Sequence, residues 1–285
     1  MLKAKSWWLY LLLGWLTFVV GLLFATIVGT AFRNADAPNW LWQIVQAIIV
    51  TGTVIPSIYL LQRKLGLNHW NDLGLSRLKK GIPYVFIGAG LVIILAGTGL
   101  MIAYSLGWIY DIRFHFSSKL VLAFLVNVLF AFFYEAFPEE VVFRGYTYHI
   151  LTMRVPRIVA LLVQPVLFVL APLAVVSLQE LVGIGGMVIT VDYIILLLGF
   201  GLMLQFLRIL TNNLWTSIGF HLAFLEVSRF FIQQQEQRFL SFKEVEAGTG
   251  DVFVAFFMVI VVGIVLMMIL SIVLRKKIRW FEKSD

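Results

Sequence analysis

Residues Leu120 to Thr152 read LVLAFLVNVLFAFFYEAFPEEVVFRGYTYHILT. The run is longer than the roughly 20 apolar residues that cross a hydrocarbon core of about 30 Å. Inside it stand Glu135, Glu139, Glu140 and Arg144. Charged groups at membrane depth are costly, so these four are functional candidates by default. Seven further apolar runs surround this one. Their approximate limits are Ser6 to Phe32, Trp40 to Leu61, Ile82 to Leu106, Ile158 to Val182, Met187 to Leu210, Leu214 to Ile232 and Val252 to Leu274. An all-α, polytopic membrane bundle of about eight transmembrane helices follows, with a break or interfacial turn expected at Pro138 of the long fourth run.

Composition points the same way. Apolar residues make up 61% of the 285 and charged residues only 13%, where a soluble domain carries about 25% charged residues. The net charge of +7 raises the question of nucleic acid. The basic residues flank apolar runs, however, so the membrane surface is the expected partner and no nucleic acid is. The chain has no cysteine, which removes disulfides, thiolate metal sites and cysteine nucleophiles together. Lys3 and Lys5 precede an apolar run that continues to Arg33, too long for a signal-peptide core, so this first segment is expected to be retained.

Eight crossings put both termini on one side. That side receives Lys3, Lys5, Arg63, Lys64, Arg77, Lys79, Lys80, Arg154, Arg157, Arg208, Arg275, Lys276, Lys277, Arg279 and Lys283. The other side receives Arg33, Arg113, Lys119, Arg229, Arg238 and Lys243. The positive-inside rule then predicts a multi-pass cell-membrane protein, expected to be bacterial, with both termini cytoplasmic. Trp7, Trp8, Trp40, Trp108, Tyr110, Trp215 and Trp280 fall at span ends and are expected to form an interfacial aromatic belt. One membrane domain over residues 1–285 is expected. The largest polar stretch is Gln233 to Asp251, and the basic loop between spans two and three has no counterpart in the second half, so no internal repeat is visible.

Glu140 and Arg144 are spaced i and i+4 and can pair on one helix face. Glu139 then points about 100° away, and Glu135 joins it on that second face if the helix continues through Pro138. Glu140 with Arg144 can be a purely structural pair. Glu139 has no partner in its own sequence neighbourhood and reads as functional. In span seven, His221 shares a face with Leu225 and Arg229, with Glu226 one position off, so Arg229 or Glu226 is the expected partner of His221. Asp192 is expected to face headgroup water, and Pro165 and Pro172 to open the backbone of span five to neighbouring groups.

Glu139-Glu140-x-x-x-Arg144-Gly145 resembles the first motif of the CPBP family, the type II CAAX prenyl endopeptidases with the bacteriocin-processing and bacteriocin-immunity (Abi) membrane proteins. Trp70-Asn71-Asp72-Leu73-Gly74-Leu75 is similar to the segment ahead of that family's core. Leu214-Trp215-Thr216-Ser217-Ile218-Gly219-Phe220-His221 is similar to its histidine-bearing later helix. The resemblance covers roughly 70–232, with helices over 6–61 and 252–274 flanking it. It implies that Glu139 is the base, Glu140 and Arg144 its supporting pair, and His221 the histidine of the later motif.

Two positions depart from that pattern. Pro172 stands where the Phe-x-x-x-His motif has its histidine, and Leu225 where His-x-x-x-Asn has its asparagine. A catalytic zinc takes three protein ligands. Glu139 and His221 are weak metal candidates, with Glu135 or Glu226 the further options, and His69, His115 and His149 do not complete the set. No cofactor is firmly implied, and a zinc ligand set is incomplete. Three readings follow: a degenerate, non-catalytic homologue that binds a membrane-associated peptide or protein in immunity, regulation or assembly; an active intramembrane endopeptidase; and, with least support, a transporter.

Overall fold

The computed structural model describes residues 6–67, 69–186, 188–273, 278 and 280–282. Lys3, Lys5, the expected start of span six at Met187, the expected end of span eight at Leu274, and Arg275, Lys276, Lys277, Arg279 and Lys283 lie outside the described residues. Eight helical spans run through the rest: α1 (Trp7–Asn34), α2 (Asn39–Lys64), α3 (Leu78–Ser105), α4 (Ser118–Thr152), α5 (Arg157–Leu181), α6 (Val191–Thr211), α7 (Leu214–Val227, continued by a wider turn over Ser228–Ile232) and α8 (Thr249–Val273).

All but α7 are long and apolar enough to cross a membrane on composition alone. α7 carries Ser217, His221, Glu226 and Arg229, and ten of the fourteen residues of Leu214–Val227 are buried. It is shielded from lipid by its neighbours, so it needs less apolar surface of its own. The loop contacts show that it runs from the side of the second loop to the side of the third. At its start, the Leu214 amide donates to the Gly74 carbonyl at 2.8 Å and the Trp215 indole to the Ser76 carbonyl at 2.8 Å, which joins the second and sixth loops. Beyond its other end the chain forms β2 (Leu240–Glu244), which pairs antiparallel with β1 (Ile109–Phe114) from the third loop. These short strands lie in polar connections where the sequence predicts only loops.

Local chemistry sets the helix ends. Ser117, Thr190 and Asn213 accept backbone N–H groups with their side chains at the starts of α4, α6 and α7, satisfying donors that the helix leaves open. α2 ends at Gly66, with φ +79°, and α3 at Gly107, with φ +71°. In each, the residue after the glycine closes back onto the helix, Leu67 to Gln62 and Trp108 to Ala103, and glycine adopts this left-handed turn without a Cβ penalty.

α4 is not interrupted at Pro138. It stays helical through that residue but widens into π-helical turns over Phe132–Ala136 and Glu140–Thr147. Proline has no N–H for the preceding turn and its ring crowds the carbonyl four residues back. A widened turn just before it relieves that crowding without ending the helix. α5 likewise runs unbroken through Pro165 and Pro172, and the Leu167 carbonyl within it takes the Trp15 indole N–H at 2.8 Å. Trp215 departs from the expected aromatic belt: it is buried, packed beside Gly81 and stacked on Phe137.

The closest helix crossing joins α3 to α7. A methyl group on Gly88 would lie 2.1 Å from the Thr216 carbonyl oxygen, and one on Gly219 would lie 2.2 Å from the Val85 carbonyl oxygen. Backbones meet directly there, as small residues allow between membrane helices. This crossing fixes the height and rotation of α7, and with them the position of His221.

Candidate functional site

α4 and α7 bring Glu139, Glu140, Arg144 and His221 together. Arg144 Nη1 donates to Glu140 Oε1 at 3.0 Å, and His221 Nδ1 lies 3.0 Å from the same oxygen. Glu140 and Arg144 are fully buried and His221 is 3% exposed. Because the Glu140 carboxylate accepts from the guanidinium, Nδ1 of His221 is the protonated nitrogen in this contact. The other ring nitrogen, Nε2, then faces Glu139, whose Oε2 is 3.9 Å away. Glu139 is 17% exposed, the one member of the four with an open side.

Packing holds the set in place. The Arg144 guanidinium lies over the Phe168 ring of α5, with Cζ 4.2 Å from the centroid. Phe168 also meets Phe143 edge-on at 5.2 Å. The His221 ring stands perpendicular to Phe200 of α6 at 4.8 Å. Three helices thus wall the pair with aromatic faces, and a cation over a desolvated ring gains about 2 kcal/mol.

The i, i+4 pairing of Glu140 with Arg144 occurs as the sequence predicts. The partner expected for His221 does not. Arg229 is taken by Glu135, its Nη2 donating to the two carboxylate oxygens at 2.7 and 2.9 Å. Glu226 accepts from the Asn127 amide at 3.1 and 3.2 Å. His221 is instead held across the interface by Glu140. A face shared along one helix places Arg229 two turns from His221, whereas α4 lies alongside at the same height. Asn127 and Phe168 are missed by a search of the sequence for charged residues alone, although Phe168 is the aromatic residue of the second-motif pattern. Asp192 is exposed at the start of α6, as expected.

Family comparison follows this geometry. Residues 118–224 match the model of the type II CAAX prenyl endopeptidase Rce1-like family. Over this segment the chain is similar to that family. The matched segment runs from α4 into α7 and contains Glu139, Glu140, Arg144, Pro172 and His221. It is narrower than the 70–232 suggested by sequence resemblance. Comparison with curated proteins and with solved structures returns no match.

The donor set gathered here does not fit a catalytic zinc. Among the described residues no group of three or more His, Cys, Asp or Glu side chains is arranged to hold a metal ion. Oε1 of Glu140 and Nδ1 of His221 are committed to each other, Glu135 to Arg229 and Glu226 to Asn127. Glu139, Nε2 of His221 and the second oxygen of Glu140 remain, and they are not arranged to supply the usual three ligands.

Proposed function

We propose that this CPBP-family membrane protein binds rather than cuts, as a regulatory, assembly or immunity protein whose partner is a membrane-associated peptide or protein. One observation carries the reading. Of the family positions that survive, Glu139 keeps an open side and Glu140 Oε1 is shared by Arg144 and His221 in one buried contact, while Pro172 and Leu225 occupy the positions that would address water and the scissile carbonyl. A catalytic unit that loses members loses several orders of magnitude in rate. The retained set still ties α4 to α7, which is a structural task.

A specific distance favours a second reading, an active endopeptidase. The 3.9 Å gap between Glu139 and His221 is too long for a direct hydrogen bond but suits one water held by both. In that reading Glu139 takes the water proton and His221 orients the nucleophile.

The test reconstitutes the full chain in nanodiscs with membrane-anchored peptides. The binding reading expects wild type to cleave no faster than Glu139→Gln or His221→Ala, and the cellular phenotype to survive Glu139→Gln. Cleavage by wild type that disappears in Glu139→Gln overturns it in favour of the enzyme. Ion-gradient-driven uptake abolished by Glu139→Gln overturns both. We also propose that the face carrying the second and sixth loops is cytoplasmic. Since the chain has no native cysteine, Lys79→Cys and Phe116→Cys are clean probes. A membrane-impermeant maleimide applied to intact cells should label only the second.

A further inference from the structure

A polar cavity of about 440 Å³ opens between the starts of α3 and α7 and the end of α6, lined by Asn71, Gly74, Ser76, Arg77, Lys80 and Asn212. It lies at the level where these spans leave the membrane, away from Glu139 and His221. Its basic residues are not ion-paired: among the described residues no ion pair involves Arg77, Lys80 or Arg208. The loop's carboxylate, Asp72, accepts the backbone N–H of His69 at 3.1 Å.

Arg208 is the decisive group. It is 7% exposed and stands directly behind the cavity wall. Its Nη1 donates to Asn212 Oδ1 and its Nη2 to the Leu73 carbonyl, each at 3.1 Å, while buried Nε has no partner. A methyl group on Gly74 would lie 2.1 Å from Nη2, so the guanidinium occupies the space where another residue type would place its side chain. A buried guanidinium bound only to neutral acceptors keeps an uncompensated charge, which is costly. An anion in the adjoining cavity would supply the compensation. The 28-residue α3 also begins here with no side-chain cap, adding the positive end of a helix dipole.

A second cavity, of about 370 Å³, adjoins the first. It shares Asn71, Ser76 and Arg77 and is otherwise walled mainly by Trp70, Leu75, Leu78 and Trp215. A basic chamber beside an apolar one at the membrane boundary matches a molecule with a phosphate at one end and acyl chains at the other. We infer that the two cavities form a binding site for one anionic phospholipid, with its phosphate between Arg77, Lys80 and the Arg208 wall, and its glycerol and upper acyl chains against Trp70 and Trp215.

The test uses the full chain in nanodiscs of phosphatidylcholine alone or mixed with phosphatidylglycerol. Retained lipid is counted by native mass spectrometry, and thermal unfolding is followed in parallel. Arg77 and Lys80 are exposed, so Arg77→Gln with Lys80→Gln leaves the core intact. Lys64→Gln, on the same face but lining neither cavity, is the control. Wild type and the control should retain phosphatidylglycerol and unfold at higher temperature in its presence, and the double variant should bind it at least tenfold more weakly. Equal retention by the double variant overturns the site. Stabilisation by inorganic phosphate in phosphatidylcholine, with no preference for phosphatidylglycerol, overturns the lipid in favour of a soluble anion. A shift produced only by a peptide with a free C-terminal carboxylate overturns it in favour of a peptide.

Discussion

Among the polar contacts that join α4 to α7, the two that contain an arginine–glutamate pair are built differently. The deep layer is Glu140, Arg144 and His221, buried together around Glu140 Oε1. The second lies one helical turn earlier on α4 and two turns later on α7, where Glu135 pairs with Arg229 at 20% and 28% side-chain exposure. In the deep layer each charge depends on its partner, because no water is at hand to replace it. In the second layer, solvent can take over part of the work. The same residue types are therefore structural in one layer and adjustable in the other.

Several substitutions can break or sharpen that contrast. The largest effect belongs to Arg144→Met, which leaves Glu140 buried with only His221 beside it. Losing one partner of a buried pair costs about 3–5 kcal/mol, so the variant should unfold at markedly lower denaturant in detergent or fail to purify as a monodisperse species. Combining it with Glu140→Gln removes the stranded charge and should recover part of the loss. Equal damage by the single and double variants would mean the pair is not what holds the layer.

Next comes Gly219→Ala. Its methyl would meet the Val85 backbone, which cannot rotate away, and overpacking of this kind costs about 1–3 kcal/mol. It should lower the unfolding temperature without touching a charged group. Glu135→Gln should cost less, about 1 kcal/mol or under, as for a partly solvated pair. A larger loss would erase the distinction between the layers.

The smallest effect is at the opposite face of the molecule. Asp111 in β1 is half-buried at the surface and its carboxyl is held below the ordinary value of 3.8 by hydrogen bonds from Arg113 and Lys243. A lowered carboxylate pKa contributes stability that is whole above the unfolded pKa and is lost as pH falls through the folded one. Between pH 5 and 8 Asp111→Asn should therefore leave the pH dependence of unfolding unchanged. A difference should emerge only in acid, below about pH 4.

The all-α membrane bundle and the Glu140–Arg144 pair were legible in the sequence, because hydropathy and i, i+4 spacing carry them. The partner of His221 was not. Spacing arguments treat α4 as uniform at 100° per residue, but its π-helical turns on either side of Pro138 change the phase. They also rank neighbours along one helix above neighbours across an interface. Arg229 shares a face with His221 yet reaches Glu135 on α4, and that choice is made by packing alone. The β1–β2 pairing was hidden for a related reason: its strands are short and more than 120 residues apart. Gly88 and Gly219 look like ordinary small residues until the two helices are laid together.

That glycine contact also says which walls of the molecule can move. At Gly88 and Gly219, α3 and α7 touch through their main chains, with no flexible side chain there to compress or swing aside, so over this stretch they behave as one rigid spar. A partner segment that reaches Glu139 must then be admitted by displacement of α4 or of its other neighbours, which rest on side chains that can change rotamer. Entry from the α3 side would require the spar itself to split, and the half of the interface bearing His221 would travel with it.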